Sequence, residues 1–265
     1  MSMTAVLILV ALAAALASPV GGLLALWQRP TTLVMSLALG FASGVLLAAI
    51  SFEMLPSALE LSSLPTGVSG FLAGFAAVYG LDLAIHRGML VGRKADQRLA
   101  VRRFHRRHPP QGDEVTVLAG GTSVEEIVEG LSIGVGVAVR PELGLLVALA
   151  IVVDNLSEAL SIGELAWAQQ KSKQRPVRRV LGWTGLIGVS LFSSVLIGYF
   201  IIGSLPGPIL GFLLASGAGG MLYLTVTTLL PDAEEYHYQQ SAALALAAGF
   251  VTIWILGHAA SSAAP

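Results

Sequence analysis

The sequence predicts an all-α membrane protein: eight transmembrane helices in a 3+2+3 inverted-repeat bundle. Three observations predict it. The 265 residues are 55% hydrophobic and only 12% charged, with a mean hydropathy of +0.78, too apolar for a compact water-soluble fold. Apolar stretches of membrane-crossing length, about 17 to 25 residues each, recur along the whole chain. Two pairs of segments also repeat one another across helices that run in opposite directions. The 30 glycines suit helices that approach closely in lipid, where small residues let backbones touch. With no cysteine, disulfides, thiolate catalysis and cysteine-rich metal sites are excluded. The length leaves no room for a soluble catalytic domain.

The spans read in order as 4–26, 32–60, 69–86, 115–139, 143–167, 180–203, 207–231 and 241–258. The first contains Ala14–Ser18, which resembles a small-residue cleavage site after an apolar run. Met1–Val6 lacks the positive start of a signal peptide, however, and the first charge is Arg29, so the stretch is expected to be a retained helix. The second and seventh carry Pro56 and Pro231, expected to kink or end them. The fourth and fifth are interrupted by acids and are expected to be the least apolar.

Basic residues accumulate on the cytoplasmic side of a membrane protein. Fourteen of the 15 fall in alternate loops: Arg29; then Arg87, Arg93, Lys94, Arg98, Arg102, Arg103, Arg106 and Arg107; then Lys171, Lys173, Arg175, Arg178 and Arg179. Only Arg140, between the fourth and fifth spans, lies on the other side. Both termini are therefore expected outside. No linker divides the chain, which reads as a single transmembrane domain, 1–265, containing a basic cytoplasmic loop over 88–114. That loop carries His105 and His108; holding topology is the favoured role for it, and weak metal capture the alternative.

The segments 125–134, EEIVEGLSIG, and 154–163, DNLSEALSIG, share five of ten residues, 29 positions apart. A weaker match joins 44–60 to 219–235, with six of seventeen shared. Both matches pair segments of opposite direction. That is the pattern of a pseudo-two-fold axis in the membrane plane, a signature of secondary transporters with a polar site at the midplane.

The stronger repeat carries the charge. Glu125 and Glu129 share a helix face, with Glu126 on the neighbouring stripe; Asp154, Asn155 and Glu158 repeat that layout. Both sets begin about eleven residues into their spans, near the bilayer centre by helix rise. Ionisable groups there are costly unless paired or hydrated, and neither helix contains Lys or Arg. Five like charges without a counter-ion cannot all stay ionised, so protons or cations must neutralise them. Oxygen-only ligands favour hard or borderline divalent ions. Glu53 reads as an acid on an access route, with a water-exposed rim glutamate as the plain alternative. Glu164, beyond Glu158, reads as an exit ligand or an interfacial acid. Asp82 and His86 read as a local pair, Tyr223, Thr225, Thr227 and Thr228 as an uncharged polar stripe with self-bonded threonines, and His237 and His258 as solvated helix ends.

These residues resemble the ZIP (Zrt/Irt-like) family of divalent metal transporters over nearly the whole chain. The likeness rests on the eight spans, the long loop after the third and the 3+2+3 order. It rests also on Glu125-Glu126-Ile127-Val128-Glu129-Gly130 and Asp154-Asn155-Leu156-Ser157-Glu158-Ala159, in place of the family's His-Asn-x-Pro-Glu-Gly and its relative. Phe52-Glu53-Met54-Leu55-Pro56 and Gly220 through Pro231 look like their counterparts. The resemblance implies a binuclear centre: Glu125, Glu129, Asp154 and Glu158 at one metal, Glu126 and Asn155 sharing Glu129 and Glu158 at the other. Acids replace both signature histidines, both prolines are absent, and 180–203 has no glutamate. Losing imidazole shifts preference from zinc toward manganese, ferrous iron or harder ions. The expected cargo is a divalent ion of the zinc, iron, manganese or cadmium class, with no organic cofactor. The expected surroundings are the plasma (inner) membrane, with a homodimer as an open alternative and no nucleic acid. A non-transporting metal-binding or sensor protein on the same scaffold is the competing function. An intramembrane hydrolase is the remotest, because no histidine ligand or Ser/His/Asp set supports it.

Overall fold

The computed structural model describes residues 3–28, 30–88, 114–168, 176–235 and 238–263. The basic loop, His105, His108, His237 and Arg29 lie outside the described residues. Among those described there are eight long helical rods and no strand. They are α1 (Met3–Trp27), α2 (Thr32–Ala48, continued through Ala49–Met54 and Leu55–Leu61), α3 (Leu64–Gly88) and α4 (Glu114–Val139). Then come α5 (Pro141–Ala168), α6 (Val177–Phe200), α7 (Gly207–Leu224, continued through Thr225–Leu229 and Leu230–Glu235) and α8 (Gln239–Ala263).

Seven of the eight are long and apolar enough to cross a membrane, and α4 is the exception. The chain is an integral, multi-pass membrane protein. Of the two helices expected to be least apolar, only α4 is so. The unbroken run Leu143–Val153 outweighs the polar residues of α5, whose best stretch is more apolar than that of α3. α3 also begins before residue 69. Pro65 sits in its first turn, where a missing N–H costs nothing, and Ser63 Oγ accepts the Thr66 N–H at 3.4 Å.

Neither Pro56 nor Pro231 ends its helix. Each follows a widened turn, Ala49–Met54 in α2 and Thr225–Leu229 in α7, in which the Leu55 N–H bonds the Ile50 carbonyl and the Leu230 N–H bonds that of Thr225. The wider i to i+5 turn absorbs the hydrogen bond a proline cannot make. The two turns occupy matching places in the weaker repeat, which is thereby a structural repeat as well.

Packing repeats too. A Cβ on Gly44 of α2 would lie 2.8 Å from the Leu246 carbonyl carbon and 2.9 Å from the Phe250 nitrogen of α8. A Cβ on Gly219 of α7 would lie 2.9 Å and 3.0 Å from the same atoms of Phe71 and Phe75 on α3. Each residue of the second contact is 175 positions from its counterpart in the first. Likewise, Gly130 and Gly134 seat α4 on Leu191 and Val195 of α6, while Gly21 of α1 seats against Leu156 and Ala159 of α5. Backbones meet this closely only where no side chain intervenes, and in lipid such contact supplies most of the attraction.

The contacts sort the rods into two groups. α1, α4, α5 and α6 pack extensively on one another; α2, α3, α7 and α8 form the second group through α2–α8, α3–α7 and α2–α7. The groups meet mainly where α2 crosses α5 and α7 crosses α4, and these two crossings are themselves repeat mates. A core running through Leu46, Ile50, Met54, Ile133, Val147, Ile151, Leu191 and Leu214 spans both.

Candidate metal centre

α4 and α5 are joined by the single residue Arg140, so they form a tight hairpin. The motifs fall near the midpoint of each rod. Glu126, Glu129, Asp154 and Asn155 are 1%, 5%, 3% and 1% exposed, whereas Glu125 and Glu158 are half-buried. The Asn155 side-chain amide donates to Glu126 Oε2 at 3.2 Å. These two are repeat mates, 29 residues apart, so the pseudo-two-fold axis passes between them. Glu129 feels the charges of all four other acids, Asp154 most strongly, then Glu126, Glu158 and Glu125. The structure therefore gathers all six predicted residues at one level of the hairpin.

The donor set is one-sided. Glu126 Oε1, Glu129 Oε2 and Asn155 Oδ1 are buried oxygens with no hydrogen-bond partner, and all three are acceptors. Buried acceptors are normally satisfied, so these oxygens are open to a proton, a cation or a water. Among the described residues, no three histidine or acidic side chains converge tightly enough to form a ready-made metal cage. A cavity of about 200 Å³ between α3, α4 and α7 is lined by Val78, Val128, Leu131, Val135, Leu213 and Leu214, among others. No acid lines it, so the acids do not open into this space.

The peripheral candidates separate. Glu53 is half-buried in the widened turn of α2, its carboxylate against Gly257 of α8, where an added Cβ would also lie 3.9 Å from Leu146 of α5. Leu146 precedes Asp154 by eight residues, so Glu53 stands about 12 Å from the acids along the bundle axis, toward Arg140. Glu164 lies about 9 Å beyond Glu158 in the opposite direction. Neither joins the central group. Asp82 is engaged from another helix: the Tyr223 hydroxyl of α7 donates to its carboxylate, while the His86 side chain lies outside the described residues. Thr225 and Thr227 bond back to the carbonyls of Met221 and Tyr223 at 2.8 and 2.7 Å, as their polar stripe predicts.

The Tyr223–Asp82 bond ties α7 to α3 and was not legible in the sequence, where the two residues lie 141 apart. Tyr223→Phe keeps the ring contact with Phe75, 5.2 Å between centroids, and removes only the hydroxyl. It is expected to destabilise the protein by about 1 to 3 kcal/mol with uptake of cargo unchanged, as thermal melting in detergent and a flux assay would show.

An inverted-repeat, multi-pass helical protein with an acidic centre at the middle of two repeat-related helices has the build of a secondary transporter. Comparison with known proteins specifies it further. A profile of the ZIP zinc transporter family matches residues 104–257. The chain is 30% identical over 216 residues to the zinc transporter ZupT of Salmonella arizonae, covering 79% of each protein. It is also 30% identical over 242 residues to that of Escherichia fergusonii, covering 88% of each. This protein belongs to the ZIP family.

Proposed function

We propose that the chain carries divalent metal cations, zinc among them, across the cytoplasmic membrane through the carboxylates of α4 and α5. The observation that carries this reading is the set of orphaned acceptor oxygens on Glu126, Glu129 and Asn155, buried with no basic residue in either helix. Membership of a family whose relatives are named zinc transporters supports the cargo class. Glu125, Glu129, Asp154 and Glu158 hold one ion; Glu126 and Asn155, sharing Glu129 and Glu158, hold the second. Two dications bring four positive charges to five carboxylates, and the shell closes by side-chain rotation around the arriving ions. With oxygen donors alone, manganese and ferrous iron compete well with zinc. The basic loops lie in the cytoplasm and both termini outside. The group of α1, α4, α5 and α6 moves against the other four helices, exposing the centre to each side in turn.

The reading is tested by uptake into proteoliposomes holding the purified protein, with zinc, manganese, ferrous iron and cadmium competing in pairs. The expected result is saturable uptake of at least one dication, inhibited by the others. Metal binding by calorimetry with no flux at any pH favours the non-transporting sensor instead.

A further inference from the structure

Glu53, Ser57 and Glu60 lie at i, i+4 and i+7 on α2 and form one stripe leading along the helix from the level of Glu53 to its end. Arg140, in the turn between α4 and α5, lies over that stripe. Its Nη2 donates to Ser57 Oγ at 2.6 Å, and its Nη1 stands 3.8 Å from Glu60 Oε2, with the two side chains 46% and 63% exposed. Its charge also reaches Glu53, whose carboxylate lies against Gly257. Arg178 and Arg179, at the start of α6, lie at the opposite end of the bundle: α4 and α6 run parallel, so the α6 start is beside the α4 start. Arg140 is thus the basic residue in the α4–α5 turn that the charge pattern sets apart, and it faces the stripe of acids leading inward.

We infer that the stripe of Glu53, Ser57 and Glu60 is a mouth for the cation with Arg140 as its built-in counter-cation, and that an arriving dication must displace the guanidinium from Glu60 and outweigh its charge at Glu53 to reach the central acids. The pairing is made across the two helix groups, between the α4–α5 turn and α2. Exposed ion pairs at this separation are weak, and a dication has twice the charge and a strong preference for carboxylate oxygen. Arg140 therefore sets the cation concentration at which the mouth fills. It deters monovalent ions, whose single charge gives them less advantage than a dication over a guanidinium held by Glu60 and Ser57 within reach of Glu53.

This rests on the transport reading, and the test separates the two. Zinc uptake is measured in proteoliposomes for the unaltered protein and for Arg140→Gln, Arg140→Lys, Glu53→Gln and the Arg140→Gln/Glu53→Gln pair, each checked for folding by thermal melting. Removing the guanidinium is expected to lower the KM for zinc about three- to tenfold with maximal rate within about twofold. Lysine is expected to keep the original KM, and Glu53→Gln to raise it. In the Glu53→Gln background the same arginine change should shift KM less than about twofold. Should Arg140→Gln fail to fold, a raised KM in Glu53→Gln together with an unchanged one in Arg140→Lys still supports the inference. A KM indifferent to Arg140, or lowered equally in both backgrounds, overturns it while leaving transport intact. Absence of flux in the unaltered protein overturns both.

Discussion

Gly44→Leu and Gly219→Leu are each expected to lower the melting temperature of the detergent-solubilised protein sharply, by comparable amounts, and to reduce the yield of folded material. A Cβ alone at either position comes within 2.8 to 3.0 Å of backbone atoms on the facing helix, so the obstacle is main chain and cannot rotate away. Overpacking of this kind costs about 1 to 3 kcal/mol where side chains can adjust, and here the rods themselves must separate. Separation forfeits the close contact that holds helices together in lipid. Gly182 and Gly185 have nothing within 4 Å of a built Cβ, and alanine at either should be neutral or mildly stabilising, as alanine is the better helix former. Equal losses at Gly44 and Gly219 test the repeat in energetic terms, because the two contacts are the same contact made twice.

Glu129→Gln is expected to reduce uptake by at least about a hundredfold, more than loss of an outer-shell partner at a metal site. Glu129 is 5% exposed, keeps one oxygen without a hydrogen-bond partner and lies in the field of the other four acids. Glutamine preserves its volume but removes the negative charge and turns one ligating oxygen into an amide donor, leaving a single neutral carbonyl oxygen to meet the cation. Glu158→Gln, at the mate position on α5, is expected to act likewise. Asn155→Ala should do less harm, since it removes a neutral ligand and leaves Glu126 Oε2 without its donor.

Much of this was legible in the sequence, for identifiable reasons. Seven spans follow from hydropathy, and α4 follows from the alternation of basic loops although it is too polar to be found by apolarity. The central six residues stand out as candidates because charge in the middle of a span is costly and because the motif occurs twice. The pairing of Glu126 with Asn155 is hidden in a single repeat unit and appears only when the two units face each other. The widened turns before Pro56 and Pro231 were not legible, since proline alone signals a broken helix and gives no hint that an i to i+5 turn precedes it. The Asp82 bond to Tyr223 and the contact of Arg140 with Ser57 depend on which rods become neighbours, and no local pattern specifies that.

The central claim is that the acids of α4 and α5 are the route of the cation. It is tested most directly by zinc and manganese flux into proteoliposomes carrying Glu129→Gln or Glu158→Gln, each matched for insertion and melting temperature with the unaltered protein. The account predicts that saturable uptake disappears in both while the fold persists. Uptake unchanged in both variants would contradict it.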